Sequence, residues 1–236
     1  PEIAELRETP QDPRWHPEGD VFEHTLECCD ALAGLAKWQA ADETSRAVYM
    51  LSVLAHDFGK PSTTRQESRV DGMRIVSPGH DEAGAELAAR FLERLGMPQT
   101  LAERVVRLVA NHMAHLQPLT DRGVRRLARR LAPETIEGLC LVITADHYGR
   151  PPKPRVVPEC VTRLREKAAA LSVMAQAPQP ILMGRHLIEG GHAPGPEFGK
   201  ILRAAYEAQL EGQFQDLAGA QAWLSGRASA GARTED

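Results

Sequence analysis

The stretch LSVLAHDFGK, residues 51–60, sets His56 beside Asp57 at the end of an apolar, helix-like run. An imidazole and a carboxylate are both ligands for divalent cations, so the pair points to metal-assisted chemistry. Neighbours on a helix point about 100° apart, so the two can face one ion only if the helix frays, and Gly59 is the residue expected to permit that. The pair also reads as an ordinary helix end, with a solvated aspartate and a histidine capping carbonyls. One helix end supplies two ligands at most, so any others must come from the elements facing it.

Four residues stand where such elements could deliver them. His24 lies in the first helix, His80 follows a Pro-Gly turn and opens another, and His112 and Asp146 lie near the ends of two more. Together with His56 and Asp57 they make six nitrogen and oxygen ligands for one or two divalent ions, with Asp57 able to bridge a pair. Singly, each has a plainer account. His24 could be a satisfied half-buried histidine, His80 an N-cap substitute before Asp81 and Glu82, and His112 one of an imidazole pair with His115. Asp146 sits at the helix end where the dipole disfavours a carboxylate, which favours a cation nearby.

Lys60, three residues past Asp57, could reach a phosphate oxygen as a point charge, or simply be solvated. Arg150 and Arg125 are weaker candidates for the same duty, and the run RGVRRLARR around Arg125 reads first as a solvated basic face. His115 and His147 adjoin the ligands and would serve as proton donors or as groups that orient them.

The elements that must position these residues are nearly all helical. Residues 1–19, with four prolines, read as an irregular lead-in, after which Asp20 and Glu23 form a capping box for a helix running to Trp38. A second helix ends at His56-Asp57. The polar segment 60–79 follows, with MRIV as a short strand or extended edge. Helices are then expected in residues 81–96, 100–116, 121–131 and 133–149, the last with Pro133 at its start. The prolines at 151, 152, 154 and 158 mark a boundary, beyond which lie three or four shorter helices, and the final dozen residues, SGRASAGARTED, read as disordered.

Composition excludes some classes. A net charge of −4 and a pI near 6.2 do not suit a generally basic protein that coats nucleic acid, although a local basic patch remains open. Four cysteines without a CxxC or a framework spacing suit a reducing compartment. No apolar run is long enough to span a membrane and no signal-peptide pattern opens the chain, so a soluble cytoplasmic protein without a membrane partner is expected.

The order of His24, His56-Asp57 and Asp146 on successive helices resembles the HD-domain superfamily of metal-dependent phosphohydrolases. His80 and His112 resemble the extra ligands of its dinuclear members. The segments PQDPRWHPEGDVFEHTLECCDAL, VLAHDFGKPSTT, GMRIVSPGHDEAGAELAARFLERLGMP and VRRLARRLAPETIEGLCLVITADHYGR are similar to the HD region of bacterial CCA-adding tRNA nucleotidyltransferases. The later GRHLIEGGHAPGPEFGKILRAAYEAQLEGQFQDLAGAQAWL is similar to the helical segment that follows in that family.

This resemblance implies an all-α HD-domain bundle over residues 1–150 and a small helical segment over 151–236. It implies one or two divalent ions (Mn, Fe, Ni, Co or Mg), with His24, His56 and Asp146 holding one together with a bridging Asp57, and His80 and His112 the other. Asp57, Lys60, His115 and Arg150 would carry catalysis. The implied activity is phosphohydrolysis of nucleotides or RNA 3′ ends, such as 2′,3′-cyclic or 2′-phosphates, by a metal-activated hydroxide. Two other classes stay open: an HD-type di-iron oxygenase, and a tRNA-binding body whose basic run Arg122, Arg125, Arg126, Arg129 and Arg130 contacts RNA. The nucleotidyltransferase head of the family has no counterpart in these residues, so this chain alone is not expected to add CCA. Apolar faces on the final helices would suit pairing with a second copy.

Overall fold

The computed structural model describes residues 1–231. Its elements, in order, are α1 (Glu2–Glu5), α2 (Val21–Ala33), α3 (Ala36–Gln39), α4 (Glu43–Ala55), α5 (Lys60–Thr63), β1 (Arg65–Arg69), β2 (Gly72–Val76), α6 (His80–Arg94) and α7 (Gln99–Val109). A 3₁₀ turn (His112–Leu116) follows, then α8 (Asp121–Leu131), α9 (Ile136–Tyr148), α10 (Glu159–Ala170), α11 (Gly184–Glu189), α12 (Pro196–Glu211) and α13 (Leu217–Gly231). Among the described residues the fold is thus all-α apart from one exposed antiparallel hairpin that pairs Arg65 with Val76 and Arg69 with Gly72.

Central to the bundle is α9, whose sequence LCLVIT is apolar on every side and which is buried from Leu139 to Asp146. Around it pack α2, α4, α7, α8 and α10. Helix starts are fixed by side-chain caps: Asp20, Asp42, Thr120 and Thr135 accept from the amides of Glu23, Ser45, Gly123 and Gly138. The cap at Thr135 explains why α9 starts at Ile136 and not at Pro133.

Several other boundaries differ from the sequence expectation. The first long helix stops at Ala33, because Leu35 turns extended and starts the separate α3. The lead-in carries the short α1 and buries Leu6. The helix expected through His112 breaks at Asn111, and His112 opens the 3₁₀ turn. Helix α13 runs to Gly231, through residues 225–231 of the tail expected to be disordered; residues 232–236 lie outside the described residues.

Two apolar cores form. The larger takes in Leu6, Val21, Leu92, Leu108, Ile143 and, from α10, Val161, Leu164 and Ala168. The smaller gathers Leu182, Leu187, Ala205, Phe214 and Ala220. Helix α10, which follows the proline run, therefore packs with the bundle, and the smaller core begins only with Ile181.

Candidate metal centre

The six candidate ligands converge inside the larger bundle, and all six are buried. Helix α4 ends at Ala55, His56 takes its C-cap position, and the next turn carries Asp57 and the fully buried Phe58. Gly59 does not fray the helix: its φ of −79° is ordinary helical backbone. Its role is close approach, since a Cβ there would stand 2.2 Å from the His80 carbonyl oxygen and 2.6 Å from the Gly84 amide nitrogen. Glycine lets the α4–α5 turn lie directly against the first turn of α6, which brings His80 to Asp57.

The donors fall into two groups that share Asp57. On one side lie His24, His56 and Asp146, with the Cys28 thiol among them. His24 Nε2 is 3.1 Å from Asp146 Oδ1 and 3.7 Å from Asp57 Oδ2, and His56 Nε2 is 3.2 Å from Asp57 Oδ2. On the other side lie His80 and His112, with His80 Nε2 3.4 Å from Asp57 Oδ1. The two oxygens of one carboxylate thus face different histidine sets.

Backbone carbonyls preset the imidazoles. Nδ1 of His56, His80 and His112 donates to the carbonyl three residues earlier, of Val53, Ser77 and Val109, at 2.6, 2.7 and 2.7 Å. A neutral ring that donates from Nδ1 offers a lone pair at Nε2, and these lone pairs all point into the pocket. His80 Nε2 and His112 Nε2 face each other at 3.1 Å. Burial lowers the pKa of His112 to about 3, and the neighbouring His80 and His56 push the same way, so that ring stays neutral. His56 Nε2 and Asp57 Oδ2 are buried without a hydrogen-bond partner. Facing lone pairs and an orphaned imidazole nitrogen beside an ionised carboxylate form a donor set that fits divalent cations, and an unpartnered buried polar atom is costly otherwise.

Cationic side chains hold the carboxylates ionised. Burial raises the pKa of Asp57, but the neighbouring His56 imidazole and Lys60 ammonium outweigh it and hold the group well below the usual range. Lys60 Nζ lies 2.7 Å from Asp57 Oδ2 without hydrogen-bond alignment, and bonds Gln11 Oε1 at 2.6 Å. Asp146 is likewise lowered against its burial, chiefly by Arg150, whose Nη2 is 2.5 Å from Oδ1. Lys60 and Arg150, expected to contact phosphate, are thus engaged with the carboxylates of the cluster. Arg150 is also the cation that the unfavourable helix position of Asp146 called for.

Glu18, His16 and Cys28 escaped the sequence analysis. Gly19, at φ +136°, folds the lead-in so that Glu18 Oε1 meets His24 Nδ1 at 2.7 Å and His16 Nδ1 at 2.9 Å. This carboxylate orients His24 and leaves its Nε2 aimed at the cluster. Burial raises the pKa of Glu18, yet the hydrogen bonds from His16 and His24 bring it down to about 2. The available signal was an acid six residues before His24, beyond a glycine. Cys28 stands one helical turn after His24 on the same face, its sulfur 3.4 Å from Nε2.

His115 is not among the six. It sits half-buried on the 3₁₀ turn, edge-on to His147 at 5.8 Å between ring centroids. Burial lowers its pKa, and its Nδ1 faces the His112 carbonyl at 2.9 Å. Four of the five arginines in the basic run of α8 have partners, and Arg125 lies beside Gly212. Arg122 and Arg126 pair with Glu211 of α12 at 2.9 and 2.7 Å, Arg126 and Arg129 pair with Glu207, and Arg130 bonds Asn111.

The HD domain family model matches residues 21–150, and the chain belongs to that family, whose members bind divalent metals and form a superfamily of metal-dependent hydrolases. It is similar to the A-adding tRNA nucleotidyltransferase of Deinococcus radiodurans, at 34% identity over 82% of this chain and 43% of that one. It is similar also to the CC-adding tRNA nucleotidyltransferase of Thermus thermophilus, at 33% identity over 92% of this chain and 48% of that one. The Multifunctional CCA protein of Halorhodospira halophila is 36% identical over 64% of this chain and 34% of its own length. The chain spans less than half the length of these curated relatives. Among the described residues no helix is long and apolar enough to cross a membrane.

Proposed function

We propose that this pocket is the centre of a metal-dependent phosphohydrolase acting on nucleotides or RNA 3′ ends, with 2′,3′-cyclic phosphates or 2′-phosphates as the substrate class. The observation that carries the proposal is the division of Asp57, one oxygen toward His24 and His56 and the other toward His80. His24, His56, Asp146 and Asp57 would hold one divalent cation; His80, His112 and Asp57 would hold a second. Such cations supply Lewis acidity toward a phosphoryl oxygen and lower the pKa of water. Asp57, ionised and shared, fixes the spacing of the two sites. Glu18 accepts from His24 Nδ1 and so aims Nε2 at Asp146 and the cluster. Lys60 Nζ and Arg150 Nη2 are the cationic groups beside the carboxylates, placed to meet non-bridging phosphate oxygens once Asp57 and Asp146 turn to ligands.

The test is hydrolysis of 2′,3′-cyclic AMP by chain stripped of metal and resupplied with Mn²⁺, Ni²⁺, Co²⁺ or Mg²⁺, with Asp57→Asn alongside as a near-isosteric variant. Turnover restored by metal in the parent and absent from the variant is expected. No turnover with any ion, although metal binds, would overturn the proposal.

The relatives' names favour a second reading, in which the chain is the tRNA-contacting body of a longer enzyme. Against a contact through the basic run stands the pairing of Arg122, Arg126 and Arg129 with Glu207 and Glu211. Salt-dependent tRNA affinity that persists in Asp57→Asn would mark that role.

A further inference from the structure

Beyond the six-ligand pocket, a separate set of metal-binding side chains lies where three elements meet. His115 comes from the 3₁₀ turn, His147 from the last turn of α9 and Cys160 from the first turn of α10. One donor atom from each lies within 4.8 Å of the other two, and all three residues are half-buried. His115 Nδ1 donates to the His112 carbonyl at 2.9 Å, so its Nε2 carries the free lone pair. Cys160 is a free thiol. The set borders a cleft of about 850 Å³, to which His115, Cys160, Glu159 and Glu166 all contribute surface.

We propose that His115, His147 and Cys160 form a second metal site that takes a single thiophilic divalent cation of the Zn²⁺ or Co²⁺ class, with its fourth position open to the cleft. Two imidazoles and a thiolate select borderline-soft cations, whereas the two carboxylates of the central pocket also admit harder ones. Tetrahedral coordination sets ligand atoms about 3.5 Å apart, so half-exposed side chains need to close by only about 1 Å. On binding, Cys160 gives its thiol proton to solvent and the sulfur lone pair goes to the cation. The carboxylates of Glu159 and Glu166 add negative potential at the mouth. Occupancy ties α10 to the turn that carries His112 and to the helix that carries Asp146. It thereby staples the segment after the proline run to two ligands of the central pocket.

The test titrates metal-stripped full chain with Co²⁺, whose thiolate complexes have a charge-transfer absorption that imidazole and carboxylate complexes lack. The parent is expected to develop that absorption. Cys160→Ser is expected to lose it and bind one Co²⁺ fewer per chain, and His147→Ala to lose the same equivalent, while Cys28→Ser keeps the absorption. A Co²⁺ count and spectrum unchanged by Cys160→Ser would overturn the proposal. So would an absorption that disappears in Cys28→Ser instead, since the thiolate would then belong to the central pocket. Neither result depends on turnover, so the site can fail while the hydrolase reading stands, and the reverse.

Discussion

Charged and polar groups are handled in opposite ways at the buried pocket and at the α8–α12 seam. In the pocket six donors are buried, and all four imidazoles meet a backbone carbonyl at Nδ1, His24 sharing its own between the Gly149 carbonyl and Glu18. At the seam, arginines meet glutamates with side chains about a quarter to a half exposed. Desolvation makes every unpaired donor in the pocket expensive, which marks the pocket as the candidate site. Water screens the seam, where each pair contributes only about 0–1 kcal/mol, so it serves to dock one helical unit on another.

The sharpest way to break this comparison is at Asp57. Asp57→Asn leaves each histidine set without its shared anion; bound metal is expected to fall by at least one ion per chain and turnover to background. Unchanged metal content would remove Asp57 from the centre. Glu18→Ala leaves all six candidate ligands in place but leaves His24 Nδ1 held by the Gly149 carbonyl alone, and should weaken metal affinity up to roughly 10-fold. Calorimetric titration with Mn²⁺ reads this directly, and an unchanged affinity would remove Glu18 from the support of His24.

Packing around the pocket gives a stability counterpart. Gly59→Ala forces a Cβ against the His80 carbonyl and should cost about 1–3 kcal/mol in urea unfolding. A neutral result would mean that the α4–α5 turn and α6 can separate freely.

Acid should act on the pocket before the seam. Burial lowers His112 to about 3 and His147 to about 4, so in the window below their ordinary 6.5 the unfolded chain binds protons that the folded chain refuses. Their contribution is complete above about 6.5 and is lost as pH falls through that window. Glu18 adds a further loss between its ordinary 4.5 and about 2. His24, raised against its burial by Cys28, Asp146 and Glu18, works in reverse and loses its contribution on the alkaline side. The Tm of metal-free protein should therefore drop from pH 6.5 to 4, less steeply in His112→Gln. A Tm that climbs on acidification would contradict the neutral, buried imidazoles.

The smallest effect belongs to the seam. Glu211→Gln, or higher salt, should speed amide exchange in residues 181–231 while α9 stays protected, at a cost within about 1 kcal/mol per pair. Equal loosening of α9 would mean that the two units share one cooperative core.

The six pocket donors were legible in the sequence because residue type and order carry them: a His-Asp pair at a helix end, and single histidines or an aspartate on facing helices. The caps at Asp20 and the apolar run of α9 were legible for the same local reason. Glu18 was not, because its pairing with His24 depends on a turn at Gly19 that no periodicity marks. Gly59 was legible as a required glycine but for the wrong cause, since fraying is a local property and backbone contact with His80 is not. The basic face of α8 read as solvated because its partners, Glu207 and Glu211, stand some eighty residues away.

The central claim is that two cations share Asp57, and electron paramagnetic resonance of Mn²⁺-loaded chain tests it most directly. The account predicts an exchange-coupled pair in the parent, reduced to isolated Mn²⁺ in His112→Ala. Isolated Mn²⁺ in the parent, with a spectrum that His112→Ala leaves unchanged, would contradict it.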